Sequence, residues 1–510
     1  MKRIIALLLA VLMVAALFAG CAPTETPGSS DNTNPSGDNS TPSTPSSDGD
    51  IPTLVWYQVG GGTSPDLDQW HEVVNAYLEE KIGCHLQLNV VDWGTWGDRR
   101  TMIVQTNEPY DLIFTDMSTY ANDVKMGAFA DLTDLLADYP GLTDTIPEDY
   151  MKGVQLADGH IYGIPAYKDT AMTNFFIWTK NYENANGEIV NVIDECFPEY
   201  ADAHTLAEID PGVRAINEKY PDLGPTMGMN KDGISCIIGN RYDAFASTLP
   251  AIGVSYYTGE AKVVSVFEQE DVLEQLRQMH VWFQDGIINS DANTLGEFSG
   301  MTGVGVAQGW PSNAGSWGQG RGTEVVVSQF GDPVLSNDTV QGSITCINAS
   351  SQNKEMALKF LELVNTDTKL RDMLAWGIEG VHFEYVEVDG MQKIHKLNDN
   401  WKAAAYTQGS TLHMTWNEAD VGDPVSEILH QNEIALRSPA LGFYFDNTPV
   451  ASQLAACVAT WMEYKPMLVT GAGDPDVYVP QMLEAMRADG LDEVIAEAQR
   501  QLDEYIASQG

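Results

Sequence analysis

Apolar residues follow three regimes along the chain. A solid run covers residues 4–17, after Lys2 and Arg3. Residues 22–50 are almost entirely Pro, Ser, Thr, Gly, Asn and Asp, with nothing to seed a core. From Thr53 onward the pattern becomes periodic. TLVWYQV at 53–59 predicts a buried strand, and Gly60-Gly61-Gly62 the loop after it. Ser64 and Pro65 mark a helix start. Leu67, Trp70, Val73, Val74, Tyr77 and Leu78 then recur at helical spacing until Gly83 closes the helix. Leu86, Leu88 and Val90 alternate as a second strand, residues 98–106 form a second helix, and 111–114 a third strand. Strand, helix, strand, helix, strand with short joins predicts a parallel sheet covered by helices.

The later half carries the same signals more sparsely. TNFFIWT at 173–179 reads as a strand. Residues 271–285 read as a helix with Leu273, Leu276, Met279, Val281 and Trp282 inward. A short strand at 303–307 runs into 308–322, a glycine-rich loop bearing Trp310 and Trp317. Ser350 or Ser351 caps a helix whose stripe is Met356, Ala357, Phe360, Leu361 and Val364. Leu491, Val494, Ile495, Ala498, Leu502, Tyr505 and Ile506 make the last stripe. It is read as core packing, because membrane docking needs basic flanks that are absent.

The first fifty residues say where the chain works. The run at 4–17 has signal-peptide length, is too short to span a bilayer stably, and ends in Ala19-Gly20 before Cys21. A Cys in that place resembles the lipobox of bacterial lipoproteins, with cleavage before Cys21 and lipid attached to it. Phe18 departs from that pattern, which usually has Leu there. An ordinary secretory signal with an incidental Cys is the alternative. The polar stretch after Cys21 predicts a disordered spacer between anchor and folded body, or a glycosylated stalk with the same role. Either signal places the protein outside the cytoplasm, and the lipobox reading anchors it by lipid to the cell membrane.

Composition narrows the body. Residues 51–510 exceed what one core usually holds, so two lobes are expected. With 27 basic against 72 acidic residues the net charge is −45, which disfavours nucleic acid and anionic lipid as partners. Cys84, Cys196, Cys236, Cys346 and Cys457 are far apart with no C-x-x-C pair. They indicate neither a zinc site nor a disulfide scaffold, and buried free thiols are the default, with one or two bridges left open. Gly60–Gly62 lacks the spacing of a phosphate-binding loop, and no H-E-x-x-H, G-x-S-x-G or Walker pattern occurs. Nothing here calls for catalysis, a cofactor or a metal.

GAFADLTDLL at 127–136 and GHIYGIPAY at 159–167 resemble extracellular solute-binding proteins of the maltose-binding type (family 1), capture subunits of ABC importers. INASSQNKEMALKFLELVNT at 347–366 resembles the strand and capped helix of the same proteins. WGIEGVHFEY at 376–385 and the helices that follow resemble a lipoprotein branch with a long helical C-terminal module.

The resemblance implies an α/β two-lobed periplasmic-binding-protein-like fold (type II), each lobe a mainly parallel sheet flanked by helices, with a hinge between. The expected division is signal peptide 1–20, lipidated Cys and linker 21–50, lobe one 51–168 with 343–397, and lobe two 169–342 with 398–510. It implies a monomer that binds a small molecule between the lobes and passes it to the transmembrane subunits of an ABC permease. A sugar or oligosaccharide is favoured, because C–H faces of pyranoses stack on aromatics while carboxylates and amides meet hydroxyls. The candidate ligand residues at predicted loop ends are Tyr57, Trp93, Trp96, Tyr167, Trp310, Trp317 and Trp376, with Asp116 and Glu379 as hydroxyl acceptors. Rival readings are a secreted polysaccharide-active enzyme, a peptide-binding protein, and a sensory or adhesive surface lipoprotein.

Overall fold

The strand predicted at 53–59 lies inside a five-stranded sheet, shielded on both faces from Trp56 to Gly60. A computed structural model describes residues 51–509 except Ala185, Ser235 and Ser247. The expected leader, Cys21 and the expected linker lie outside the described residues. The strands of the two main sheets are β1 (Thr53–Gly60), β2 (His85–Asp92), β3 (Leu112–Thr115), β4 (Gly163–Pro165), β5 (Met172–Thr179), β6 (Val304–Gln308), β7 (Val325–Leu335), β8 (Ile344–Ile347) and β9 (Leu436–Arg437). The helices that matter here are α1 (Leu67–Ile82), α2 (Trp93–Thr106), α3 (Glu270–Gln284), α4 (Ala314–Arg321), α5 (Lys354–Thr366), α6 (Thr368–Trp376), α7 (Pro424–Ile434), α8 (Ala451–Val469), α9 (Pro475–Ala488) and α10 (Leu491–Gln509).

The first sheet has the order β2-β1-β3-β8-β4. Its first three strands are parallel, and β8 returns antiparallel between β3 and β4. Gly83 ends α1 in the left-handed conformation (φ 73°), as its sequence position predicts. Ser64 does not cap α1; its hydroxyl accepts from the Lys402 N–H at 2.9 Å. Ser351 likewise leaves the start of α5 to Asn353 and donates instead to the buried Asp111. Gly60 is required for a close crossing: a Cβ there would press on the Lys402 carbonyl and Val90.

The second sheet corrects one expectation. Its order is β6-β5-β7-β9, with both β6 and β7 antiparallel to β5. Only the short β9 runs parallel, beside β7. A strand as uniformly buried as β5 carries no directional signal in its residues. The glycine-rich segment also differs: residues 314–321 form α4, and Gly315 lets it approach the Ala419 carbonyl. In α3, Val281 points to solvent while Val272, Leu276, Met279 and Trp282 are buried.

Two large cores result. One fills the first sheet and its helices around Trp56, Trp70, Phe360 and Leu374. The other joins the second sheet to α3, α8, α9 and α10 through Trp178, Trp282, Trp461 and Leu502. A small third cluster of Ala375, Met414, Trp416 and Ile428 gathers Trp310 and Trp376 against it. Trp401, Ala403 and Leu412 pack on the first core. All five cysteines of the body are free, four of them buried.

The chain passes between the sheets at residues 166–171 and 336–343. Asn432 of α7 holds the first crossing from both ends, donating to the Lys168 carbonyl (2.8 Å) and accepting from Ala171 N–H (3.0 Å). Beside the second, Ser438 donates to the buried Asp243 at 2.5 Å. Burial first, and then neighbouring Asp338, push the Asp243 carboxyl up to about 7. The fully buried Arg371 of α6 fixes the stretch that crosses above the first sheet. It donates to the carbonyls of Ser410 (2.9 Å) and Ala405 (3.0 Å) and to the Gln408 side chain (3.2 Å).

Two outcomes follow from these buried groups. Arg371→Ala strands three acceptors, and chemical denaturation should report a loss of roughly 3–5 kcal/mol. For Asp243, the folded value lies above the unfolded one, so its contribution is full below about pH 4 and fades as pH rises through 7. Relative to Asp243→Asn, the wild type should therefore lose stability by on the order of 4 kcal/mol between pH 4 and pH 8, measured by denaturant midpoints.

Candidate functional site

Parallel strands end at one edge of a sheet, so the turns after β1, β2 and β3 form a rim facing the second sheet. After β2, Asp92 accepts from Gly94 N–H and caps α2, which starts at Trp93. That cap leaves Trp93 at the rim, 49 % exposed. The chain at 401–407 crosses the end of β1, with Gly61 N–H donating to the Lys402 carbonyl (2.8 Å) and Gly60 bridging to Ala403. Thr407 donates to the buried Gln58 at 2.8 Å. These contacts set Tyr406, also 49 % exposed, nearly parallel to Trp93 (11° between planes, centroids 6.3 Å apart).

The opposite wall comes from the second sheet. β6 ends at Gln308, and Trp310 follows it against Trp416, edge to face at 5.0 Å. Both indole N–H groups are buried without a partner among the described residues. Between the walls runs the crossing strand, where Lys168 pairs with Asp169 (3.3 Å) and Gln308 donates to the Asp169 carboxylate (3.2 Å). An open hollow of about 450 Å³ is lined by Trp310, Tyr406, Trp416, Asn313, Thr411 and the crossing residues. Asn313 and Thr411 both line the hollow, and neither side chain has a hydrogen-bond partner among the described residues. Burial, then the charge of Asp169, hold the Tyr406 phenol above its usual value, so it stays a neutral donor.

A larger hollow of about 980 Å³ lies against the second sheet and shares Lys168 and Gln308 with the first. Met117, just beyond β3, reaches into it.

The residues proposed from sequence separate into groups. Trp310 lines the aromatic hollow, and Trp93 stacks on its Tyr406 wall. Trp376 stands behind that wall, its N–H donating to the Thr415 carbonyl (2.8 Å) and its ring packed on the Met414–Trp416 cluster. Trp317 sits on α4 against Phe175. Tyr167 is on the crossing strand, edge-on to Tyr150, and its carbonyl accepts from Thr411 N–H. Asp116 turns inward on its own loop and accepts from Ser118. Three others are elsewhere. Trp96 is 7 % exposed and packs on Phe114. Tyr57 donates to Glu108, itself paired with Arg99 (2.6 Å). Glu379 is exposed in the turn before residue 383. Sequence reasoning did not reach Tyr406, Thr411, Met414 and Trp416, which lie in a stretch without helix or strand period.

Comparison with known proteins agrees with this architecture. Residues 72–379 match a family described as bacterial extracellular solute-binding protein, and residues 439–507 a domain of unknown function (DUF3502). A "Carbohydrate ABC transporter substrate-binding protein" of Streptococcus pneumoniae serotype 4 is 27 % identical over 476 residues, covering 90 % of this chain and 92 % of that one. The solved N-glycan transport solute binding protein (NgtS) of Streptococcus pneumoniae is 24 % identical, with TM-score 0.79, 90 % of this chain and 100 % of that chain covered. Its complex with Man5GlcNAc is 25 % identical, with TM-score 0.68 and coverage of 90 % and 99 %. With a family match from residue 72 to 379 and a fold shared over 90 % of its length, the chain belongs to the bacterial extracellular solute-binding proteins.

Proposed function

We propose that the chain is the substrate-binding lipoprotein of an ABC importer and captures a sugar or oligosaccharide in the aromatic hollow between the lobes. The arrangement of Trp310, Trp416, Tyr406 and Trp93 around Asn313, Thr411 and Gln308 carries this reading. Aromatic faces take the C–H faces of a pyranose, and the amide and hydroxyl groups between them take its hydroxyls. Asp169, held by Lys168 and Gln308, adds an acceptor at the floor. The names of the relatives support a carbohydrate, and the Man5GlcNAc bound by NgtS supports one of several sugar units.

Capture works by hinge closure. A ligand touching Tyr406 on one side and Trp310 on the other is bound better when the walls approach, so it shifts the population toward the closed form. The closed form is then the one that a permease recognises. Lipid at Cys21 and the polar linker hold the body at the outer face of the membrane, within reach of that permease. The site binds and releases its ligand unchanged.

Calorimetry and thermal-shift measurements against Man1GlcNAc, Man5GlcNAc, maltose and a tripeptide test this. A glycan at a hundredfold excess over its Kd should stabilise the protein by about 2.7 kcal/mol and be recovered intact. Binding of the tripeptide alone, or cleavage of the glycan, would overturn the reading. Trp310→Ala and Tyr406→Ala should each weaken glycan affinity by roughly tenfold or more, with the ligand-free melting temperature near wild type. Trp96→Ala should do the reverse, losing about 3–5 kcal/mol of stability before any ligand is added.

A further inference from the structure

The larger hollow differs chemically from the aromatic one. Its wall carries Met117, Met172, Met227 and Met229, and on the far side Trp461 and Val469 of α8. Methionine walls are apolar and adaptable, able to reshape around ligands of varied form. Many polar side chains in the lining are committed within the protein, while Glu297 and Asp338 have no side-chain partner among the described residues. Asn174 donates to Asn240 (2.7 Å), Tyr242 to Asp271 (3.0 Å), Asn230 to the Gly296 carbonyl (3.2 Å), and Lys465 pairs with Asp232 (2.7 Å). Ser438 already donates to Asp243. Burial pushes Asp243 up to about 7 and Asp338 up to about 6, the response of carboxyls in poorly polar surroundings. Beyond Glu297 and Asp338, a sugar placed here would find most polar side chains already engaged, and unmet hydroxyls oppose binding.

At 980 Å³ the chamber lies at the upper end of the ~300–1,000 Å³ range of small-molecule sites. Lys168 and Gln308 line both hollows, which places the two side by side. Its far wall belongs to the C-terminal region of unknown function at 439–507.

We propose that the methionine-walled chamber is a second binding compartment for an apolar substituent, an alkyl, acyl or aryl group carried by a glycoside, and that the C-terminal helices serve to wall it. The link between compartments rests on the carbohydrate reading of the aromatic hollow; the chamber's own affinity for apolar groups does not.

The two are tested separately on the full folded body. N-phenyl-1-naphthylamine, an uncharged fluorophore without sugar, probes the chamber directly. Wild-type protein should raise and blue-shift its emission, and Met172→Gln and Val306→Asn, both at half-buried lining positions, should each reduce that enhancement. Circular dichroism and melting temperature establish that the variants fold. No enhancement, or enhancement that neither folded variant reduces, overturns the chamber whatever the free glycans do.

The link is read from methyl, butyl and octyl α-D-mannopyranoside by calorimetry. Affinity should rise with chain length, up to about fourfold for each methylene fully buried. The octyl-to-methyl ratio should exceed about 100 in the wild type and fall toward one in the variants. Free glycans that bind while the mannoside series stays flat would overturn the bipartite ligand and leave the carbohydrate site standing. Fluorophore binding without any glycan binding would sink the carbohydrate reading instead.

Discussion

Asn432 reaches from α7 to both ends of the crossing strand, its amide meeting the Lys168 carbonyl and the Ala171 N–H. Almost every feature of the site depends on where that strand lies. It sets the Lys168–Asp169 pair on the floor of the cleft and starts β5, whose partners β6 and β7 carry the opposite wall. Thr411 is tied to the same strand through Tyr167, so the aromatic stretch from 405 to 416 is referenced to it as well. One side-chain amide, buried and fully engaged at these contacts, thus couples both walls to one backbone segment. Such a group cannot be exchanged for an apolar one without leaving backbone polar groups unmet.

The wall that bears Tyr406 and Trp416 is built by a different means. Between residues 397 and 423 the chain has little regular structure, and side chains of buried charge help to hold it. Arg371 takes two carbonyls and an amide oxygen from residues 405–410, and adjacent Asp372 takes the N–H and hydroxyl of Thr415. Burial lowers the Arg371 guanidinium to about 10, which still leaves it charged at any physiological pH. The stretch is thereby fixed by ionic hydrogen bonds in addition to the apolar contacts of Trp401, Leu412, Met414 and Trp416.

This difference explains what the sequence discloses and what it hides. β1 through β3 and α1 follow periods of two and 3.6 and lie within a few residues of expectation, whereas α2 starts at Trp93, five residues before the expected 98. The direction of β5 has no such signature, because a strand buried on both faces reads alike either way. The 314–321 helix is concealed by three glycines that argue against helix, yet one of them is needed for the contact with Ala419. Loop-end position separates Trp93 from the core but fails for Trp96, which lies one turn into α2 on the stripe continued by Arg100 and Ile103. Tyr406 and Trp416 sit in a region whose order comes from Arg371 and Asp372, and pairing of that kind leaves no period to read.

The C-terminal helices show how packing and binding surface come from one arrangement. Leu491, Val494, Ala498 and Leu502 of α10 and Leu454, Cys457, Trp461 and Leu468 of α8 extend the second core outward from α3. A helix layer that only completed a core would close against the sheet. Here Gly233 and Gly471 let backbone meet backbone at two points, Gly233 on Val469 and Gly471 on Met279, pinning one end of α8 tightly. Between that pinned end and the edge strand β6 lies the larger hollow, whose lining includes Trp461 and Val469 as well as Met227 and Val306. Tight packing at the glycines and an open chamber beside them are two results of the same helix placement, so the module that thickens the second lobe also shapes the cavity within it.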